Sequence, residues 1–183
     1  MDTNQQFDNA TKECKQVFMS KLKDYGPSWR IMRPSSVTDQ IFIKAKRIRK
    51  IETSGENLVG EDLRGDFEAM VNYGIIALIQ CEKGYSDCID MSVDQSERLY
   101  DKYLGATKDL MCNKNHDYDE AWRSMRISSF TDIILTKLNR IKEIEDNQGK
   151  TLVSEGVEGN YQDIINYSIF ALIKMSDEAA LIE

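Results

Sequence analysis

The chain has 183 residues, 41% of them hydrophobic and 30% charged, a composition typical of a globular protein with its own core. Its net charge of −7 and pI of about 4.9 argue against a general DNA- or RNA-binding protein, because attraction to phosphates supplies most of that affinity. A polar N-terminus, and the lack of any apolar run near the roughly 18 residues of a membrane helix, predict a cytoplasmic protein without a signal peptide or a membrane span.

The chain contains one unit twice. The segment DYGPSWRIMRPSSVTD, which begins at Asp24, returns as DYDEAWRSMRISSFTD, which begins at Asp117. Residues 7–52 align with 100–145 without a gap, and residues 55–79 align with 149–173 after one extra residue. About 30 of these 71 aligned positions are identical, which indicates a tandem duplication.

Apolar residues recur with helical spacing in three segments of each copy, and no run alternates with period two for long enough to form a strand. The first helix of repeat 1 should end near Gly26 and Pro27, and the second should begin after Ser36, with Ser36 and Asp39 as a cap pair. Two copies are too few for a solenoid and suit an internal pair that mimics a twofold homodimer. We therefore predict an all-α fold, in which a tandem duplication of a three-helix unit forms a pseudo-twofold six-helix bundle.

The repeat also predicts the organisation of the chain. Repeat 1 covers residues 1–82, a connecting segment covers 83–99, and repeat 2 covers 100–183. We expect both repeats to form one compact domain. The connecting segment should start as a loop and become helical near Ser92, which fits a capping box with Gln95.

Several polar and aromatic residues are identical in the two copies, although apolar positions around them differ. One interpretation is structural: caps and hydrogen bonds hold the loop between the first two helices, and Trp29 closes the end of the bundle. A recent duplication would also preserve residues without a physical reason. The other is an anion pocket, in which basic side chains and the N-terminus of the second helix bind phosphate while Tyr25 and Trp29 stack on a base. The candidate ligand-binding residues are Tyr25, Trp29, Arg30, Arg33, Lys44, Arg47, Asn72, Tyr118, Trp122, Arg123, Arg126, Lys137, Arg140 and Asn166.

One line of three residues along the predicted third helix occurs in both copies. It consists of Glu61, Gly65 and Asn72 in repeat 1 and of Glu155, Gly159 and Asn166 in repeat 2. A glycine inside a helix costs up to about 1 kcal/mol relative to alanine, so its retention indicates the close approach of another helix or of a ligand. We expect the two third helices to cross at the pseudo-twofold axis with the asparagines bonding there, and a ligand-binding role is the alternative.

The order Asp-Tyr-Gly, Trp-Arg, Lys-x-x-Arg-Ile and then Glu…Asn-Tyr-x-Ile-x-Ala-Leu resembles a small helical family, the nucleotide-modification-associated domain. The resemblance covers nearly the whole chain, twice, and implies a link to nucleotide or modified-base metabolism. The residues that carry it are Asp24-Tyr25-Gly26, Lys44, Arg47, Glu61 and Asn72-Tyr73, with Asp117-Tyr118, Lys137, Arg140, Glu155 and Asn166-Tyr167 in repeat 2.

The family is in turn distantly similar to all-α nucleoside triphosphate pyrophosphohydrolases of the MazG-like and dimeric dUTPase-like kinds. In those enzymes four carboxylates on two helices hold Mg²⁺ against a triphosphate. Here the second helix has Lys44 and Arg47 where that pattern has acidic residues. Two interpretations of the remaining carboxylates are open: the repeats share one composite site of Asp66, Glu158 and Asp163, or one of two sites has decayed. The similarity makes Mg²⁺ the candidate cofactor, and the candidate metal ligands are Glu61, Asp66, Glu155, Glu158 and Asp163.

Cysteine and histidine do not point to a metal or redox site. The four cysteines form no C-x-x-C pair, and the single histidine has no second histidine to share a metal with. Cys14 and Cys81 lie on apolar helical stripes, so we expect them to pack in the core.

The sequence is compatible with three functions, of which one is enzymatic and two are not. The first is a protein of nucleotide or modified-base metabolism that binds a nucleoside phosphate through arginine, lysine and helix N-termini. The second is a Mg²⁺-dependent MazG-like pyrophosphohydrolase, and the third is a non-catalytic protein–protein interaction module. The expected partner is a nucleoside phosphate, with further homo-oligomerisation as an option and no membrane contact.

Overall fold

A computed structural model describes residues 2–153 and 155–181 of the chain. Within these ranges the protein is all-α, with six α-helices, two 3-10 helices and no strand. The first three helices are α1 (Thr3–Tyr25), α2 (Pro34–Ser54) and α3 (Leu63–Lys83), with the 3-10 helix η1 (Ser28–Ile31) between α1 and α2. Their equivalents are α4 (Val93–Tyr118), η2 (Ala121–Ser124), α5 (Ile127–Asp146) and α6 (Val157–Ala180). The predicted fold class and the duplicated three-helix unit are confirmed.

The third helices, α3 and α6, pack on each other at the centre of the bundle, and α2 and α5 cover them. The outer helices α1 and α4 each touch both α3 and α6, so each repeat's first helix contacts the other repeat as well as its own. The two helices approach closely at Gly74, where an added Cβ would lie 2.6 Å from Cγ1 of Ile165. A continuous core of buried residues runs through both repeats. None of the helices in the described ranges is long and apolar enough to cross a membrane.

Reciprocal bonds join the two repeats along the α2–α5 seam. Thr38 donates to Glu145 over 2.8 Å, and Thr131 donates to Glu52 over 2.9 Å. Ion pairs repeat the same symmetry, since Lys142 contacts Asp39 at 2.9 Å and Arg49 contacts Asp132. The retained threonines, Asp39/Asp132 and Glu52/Glu145 are therefore contacts of the pseudo-twofold interface, which supports the structural interpretation for this group.

Local signals explain most helix ends. Gly26 ends α1 with φ near +66°, a conformation that glycine adopts without strain, and Ser92 with Gln95 forms the predicted capping box of α4. The predicted start of α2 is wrong. That helix begins at Pro34 with Arg33 as its N-cap, so Ser36 lies inside the first turn and is not a cap. Proline at the first helical position has its φ fixed for the helix and outweighs the serine signal.

Of the two predicted reasons for retaining Gly65, the close approach of another helix is wrong. A Cβ added at Gly65 would meet nothing within 4 Å, so no helix approaches it closely. At Gly159 a Cβ would meet only the side chain of Glu155, one turn away. The close helix crossing falls nine residues later, at Gly74, and Gly65 instead lines a cavity.

The two cysteines on apolar stripes pack as predicted. Cys14 is fully buried and Cys81 is half-buried against the core. Burial raises the pKa of each thiol to about 12, so neither is a thiolate at neutral pH.

Candidate functional site

Each repeat contains one cavity between its first helix, its 3-10 helix and its third helix. The repeat-1 pocket has a volume of about 330 Å³ and the repeat-2 pocket about 320 Å³, the lower end of the roughly 300–1,000 Å³ usual for small-molecule sites. Every residue that lines the repeat-2 pocket has its repeat equivalent in the lining of the repeat-1 pocket. The equivalent lining residues that are identical are Lys21/Lys114, Tyr25/Tyr118, Trp29/Trp122, Met32/Met125, Asn72/Asn166 and Tyr73/Tyr167.

Hydrogen bonds from a buried arginine and a buried glutamine hold Trp29 in the wall of the repeat-1 pocket. After the turn at Gly26, the η1 carbonyls accept from Gln80, whose amide lies 3.2 Å from the oxygen of Trp29 and 2.7 Å from that of Met32. Arg30 is buried and donates to Gln80, to the carbonyl of Gly84 and to Asp90. Arg30 therefore ties η1 to the end of α3 and to the connecting segment.

Trp122 occupies the equivalent place in repeat 2, where different bonds hold it. Lys174, at the position equivalent to Gln80, donates to the carbonyl of Arg123 over 2.8 Å. The guanidinium of Arg123 bonds Glu120 at 2.6 Å, Gln6 at 2.7 Å and Thr3. Thus η2 is tied to the start of α1, as η1 is tied to the segment that leads into α4.

Both tryptophans present an unused polar group. The side-chain nitrogens Nε1 of Trp29 and Trp122 are buried and have no hydrogen-bond partner among the described residues. The ring of Trp122 also stacks on Phe170, with centroids 4.3 Å apart and planes 2° from parallel, whereas Ile76 replaces Phe170 in repeat 1. Buried N–H groups usually find a partner, so these two unpaired N–H groups are an unusual feature that both repeats share.

The asparagines lie in these pockets and do not bond at the α3–α6 crossing, which corrects the predicted position. Asn72 donates to the carbonyl of Cys14 in α1 over 3.0 Å and accepts from the hydroxyl of Tyr100 over 2.8 Å. Asn166 donates to the carbonyl of Thr107 over 3.3 Å, but its Oδ1 has no partner among the described residues. The outer helices therefore supply the asparagine partners, because α1 and α4 cover the third helices.

The two pockets differ in their charged groups. The repeat-1 pocket contains Glu68, whose pKa is raised because burial disfavours its charge, with Arg64 at 3.3 Å as a partial counterweight. In the repeat-2 pocket, Asp163 is buried between Lys114 and Lys137, and Lys137 lies 2.6 Å from it. Burial is the largest single influence on the pKa of Lys114 and lowers it, but the hydrogen bond to Asp163 and the nearby negative charges together outweigh burial and raise the lysine pKa.

The predicted basic residues do not form one anion pocket. Arg30 and Arg123 hold the 3-10 helices, and Lys44 and Arg47 both pair with the buried carboxylate of Asp66. Arg33, Arg126 and Arg140 are exposed and form no ion pair with any described residue. The α2 N-terminus is also largely used, since Ser36 and Val37 donate to the carbonyl of Arg33 and Pro34 has no N–H.

The five candidate metal ligands do not assemble. Asp66 and Asp163 are each neutralised by two basic side chains, and Glu61, Glu155 and Glu158 are exposed. Within the described ranges, no group of three or more histidine, cysteine, aspartate or glutamate side chains is placed to hold a metal. These residues therefore do not fit a magnesium site in this conformation, and the composite site of Asp66, Glu158 and Asp163 gains no support.

Sequence reasoning missed some of the pocket residues. Lys21 and Lys114 face the cavities and were not among the candidates, although the lysine is retained at the repeat offset of 93. Tyr73 and Tyr167 were recognised as retained but not as lining residues. The signal for all four was identity between the repeats close to a candidate residue. Each lysine lies four residues, about one helical turn, before a candidate tyrosine, and Tyr73 and Tyr167 directly follow the candidate asparagines.

Comparison with known proteins agrees with the resemblance described above. The model of the family described as nucleotide modification associated domain 1 matches residues 21–81 and again residues 114–175. The chain therefore belongs to this family and carries its domain in duplicate. No curated protein and no solved structure matches the chain. The two matched segments include most of the residues that line each pocket, and only Val17, Phe18 and Met111 lie before them.

Proposed function

We propose that the protein binds a nucleoside phosphate in each of the two pockets, with the base held among the aromatic side chains. The observation that carries the proposal is the equivalence of the pockets: two cavities of nearly equal volume, lined at matching positions, in which tyrosine, tryptophan, asparagine and lysine are retained. A flat aromatic base suits walls made of Tyr25, Trp29 and Tyr73, and stacking of this kind contributes about 1–3 kcal/mol per base.

Lys21 is the basic group best placed for the phosphate in repeat 1. It lines the pocket, is exposed, and forms no ion pair with any described residue. Its equivalent, Lys114, is already engaged by Asp163, so phosphate should contribute less to binding in repeat 2. Arg33 directly follows Met32, which lines the repeat-1 pocket, and is a second cation of this repeat without an ion-pair partner among the described residues.

Intrinsic fluorescence tests the proposal directly, because the only two tryptophans of the chain are the two pocket tryptophans. Nucleosides and their mono- and triphosphates, ribo and deoxy, are titrated with and without Mg²⁺. The Trp122→Phe variant reports the repeat-1 pocket alone, and Trp29→Phe reports the repeat-2 pocket alone. A bound base should quench the reporter, and a ligand at about 100 times its Kd should stabilise the fold by about 2.7 kcal/mol.

Two variants locate the site. Ala69→Phe fills the repeat-1 pocket and should abolish quenching of Trp29, whereas Ala106→Phe on the exposed side of α4 should not. Lys21→Ala should weaken binding of the nucleotide more than of the nucleoside, with Lys12→Ala on the exposed surface of α1 as the control. A panel that neither quenches fluorescence nor shifts the unfolding temperature at millimolar concentration would refute the proposal. Binding only in the presence of Mg²⁺ would favour the pyrophosphohydrolase alternative.

A further inference from the structure

The two repeats carry a buried carboxylate at different turns of the third helix. In repeat 2, Asp163 lines the pocket and contacts the Nζ atoms of Lys114 and Lys137, the second at 2.6 Å. The equivalent position in repeat 1 is Ala69, which lines the repeat-1 pocket. The buried carboxylate of repeat 1 is that of Asp66, one turn earlier, and it lines neither pocket. The carboxylate therefore belongs to the wall of one cavity and lies outside the wall of the other.

Both lysines that contact this carboxylate in repeat 2 are retained in repeat 1. The first is Lys21, which lines the pocket together with Ala69 and forms no ion pair with any described residue. The second is Lys44, which pairs with Asp66 at 3.2 Å. Repeat 1 thus keeps both cations, but it lacks the acid that neutralises the pocket lysine of repeat 2.

Lys44 can contact an anion beside Ala69 without leaving Asp66 unpaired. Its equivalent, Lys137, contacts a carboxylate at the corresponding place, so a lysine at this position of the second helix is long enough to reach. Asp66 also bonds Arg47, which remains its partner when the flexible lysine side chain turns away. The repeat therefore has two lysines for an anion at this place.

One carboxylate does line the repeat-1 pocket, and it belongs to Glu68. Arg64, one turn earlier on the same helix, lies 3.3 Å from it, and among the described residues no ion pair joins Glu68 to Lys21. Glu68 therefore does not take the part in repeat 1 that Asp163 takes in repeat 2.

We propose that the repeat-1 pocket holds the phosphate of its nucleotide beside Ala69, between Lys21 and Lys44, and that the carboxylate of Asp163 takes the place of this phosphate in the repeat-2 pocket. This inference rests on the proposed function and refines it: the base binds in both pockets, but phosphate contributes to binding only in repeat 1. Carboxylate and phosphate oxygens accept the same charge-assisted hydrogen bonds from ammonium groups. The residue at position 69, or at its equivalent 163, therefore determines whether a pocket prefers the nucleotide to the nucleoside.

Matched pairs of ligands test the preference. The probes are adenosine, guanosine, cytidine and thymidine, each with its 5′-monophosphate. Each pair is titrated into Trp122→Phe, which reports the repeat-1 pocket, and into Trp29→Phe, which reports the repeat-2 pocket. For at least one base, the monophosphate should bind the repeat-1 pocket about ten- to hundredfold more tightly than the nucleoside, as expected for hydrogen bonds between charged groups. In the repeat-2 pocket the two ligands should differ by less than about threefold.

Moving the carboxylate should move the preference. In the Trp122→Phe background, Ala69→Asp gives Lys21 an internal partner and should reduce the preference for the monophosphate to less than about threefold. Ala69→Asn adds the same bulk without the charge and should keep more of the preference. An equal loss in both variants would assign the effect to bulk and overturn the inference. In the Trp29→Phe background, Asp163→Ala removes the internal anion and should create a preference of about tenfold in the repeat-2 pocket.

Inorganic phosphate provides a readout that does not depend on the base. The unfolding temperatures of the wild type, Ala69→Asp and Asp163→Ala are compared in phosphate and in chloride at equal ionic strength. Asp163→Ala should gain most from phosphate, because it frees a second pair of lysines, Ala69→Asp should gain least, and the wild type should lie between them. The general stabilising effect of phosphate on folded proteins acts on all three and does not change this order.

The outcomes separate this inference from the proposed function. If nucleosides quench both reporters but the repeat-1 pocket shows no preference for any monophosphate, the inference is overturned and nucleoside binding stands. The same follows if a folded Asp163→Ala variant gains no preference. If no probe quenches either reporter, the proposed function is overturned, and the order of the three proteins in phosphate decides about the anion position alone. Should Asp163→Ala not fold, the loss of preference in Ala69→Asp decides the question.

Discussion

The η1 and η2 loops carry a tryptophan to equivalent places in the two repeats, but different bonds hold the two loops. In η1 the retained arginine is buried against Gln80, Gly84 and Asp90, whereas Arg123 in η2 is about one-third exposed and bonds Glu120 and the start of α1. The two loops share one bond, because Gln80 and Lys174, at equivalent positions, each donate to the backbone carbonyl of the arginine. The comparison shows that a retained arginine can keep one role, fixing a loop, while all partners of its guanidinium change.

The largest effect should come from breaking these two anchors. Arg30→Ala removes bonds to a buried amide and a backbone carbonyl together with a buried side chain, so we expect the free energy of unfolding to fall by about 2–3 kcal/mol. Arg123→Ala, at a more exposed site, should cost about 1 kcal/mol. Urea unfolding of both variants measures the difference. Equal losses would show that the two loops depend on their arginines to the same extent.

The second test concerns two glycines of one helix. Gly74→Ala pushes a methyl group against Ile165 at the α3–α6 crossing and should cost about 1–3 kcal/mol, because a tightly packed crossing adjusts poorly. Gly65→Ala meets open space and should stabilise α3 by up to about 1 kcal/mol. Thermal unfolding distinguishes the two directions. In repeat 2 the position equivalent to Gly74 is Ser168, which already carries a Cβ, so Ser168→Ala serves as the control.

The seam supplies a prediction about pH. Burial raises the pKa of Glu52 and of Glu145 above the ordinary value of 4.5, but Glu145 bonds the hydroxyls of Thr38 and Tyr161, whereas Glu52 bonds only Thr131. Each carboxyl group therefore binds its proton more tightly in the folded chain than in the unfolded chain. As a result, the free energy of unfolding rises as the pH falls through the raised pKa, and this gain levels off below about pH 4.5. Glu52→Gln removes the buried charge. At pH 7 it should stabilise the protein by about 1 kcal/mol.

Unfolding across pH 4 to 8 checks this expectation. The advantage of Glu52→Gln over the wild type should shrink toward zero near pH 4.5, and Glu145→Gln should gain less because its carboxylate has two hydroxyl partners. A Glu52→Gln advantage that is independent of pH would contradict the assignment of the effect to a buried charge.

The smallest effect should come from the exposed ion pairs of the seam. A double-mutant cycle on Asp39 and Lys142 should give a coupling of about 0.2–1 kcal/mol, and the cycle on Asp132 and Arg49 should agree with it. High salt should reduce both values, because the pairs are exposed. If the coupling energy of one pair is several times larger than that of the other, the two ion pairs are not energetically equivalent and the interface departs from its pseudo-twofold symmetry.

The sequence was sufficient to predict the architecture because the repeat compares the chain with itself. Apolar spacing defined three helices per unit, and Gly26 and Ser92 with Gln95 marked their ends correctly. The start of α2 was misplaced because the serine signal was preferred to Pro34, whose fixed φ begins the helix. The pairing of the third helices was predicted, but their point of closest approach was not.

The candidate site was only partly predictable. Tyr25, Trp29 and Asn72 with their equivalents do line the pockets, whereas Arg30, Lys44 and Arg47 turned out to pair within the protein. Retention between repeats identifies residues under constraint, but it does not separate a side chain that bonds a ligand from one that bonds a neighbouring carboxylate. Tyr100, whose hydroxyl bonds Asn72, and its repeat equivalent Phe7, which has no hydroxyl, illustrate a second limit. Their effect on the asparagines depends on contacts between different repeats, which the alignment of one repeat with the other does not contain.

The difference between Phe7 and Tyr100 has a genetic consequence. In a homodimer, one codon specifies both symmetric copies of a residue, so a substitution that frees an asparagine in one site frees it in the other. In this chain, two codons specify the two positions, and each can mutate alone. The fusion of two units into one polypeptide thus allows the surroundings of one pocket to change independently of the other, without a second gene and without loss of the shared core.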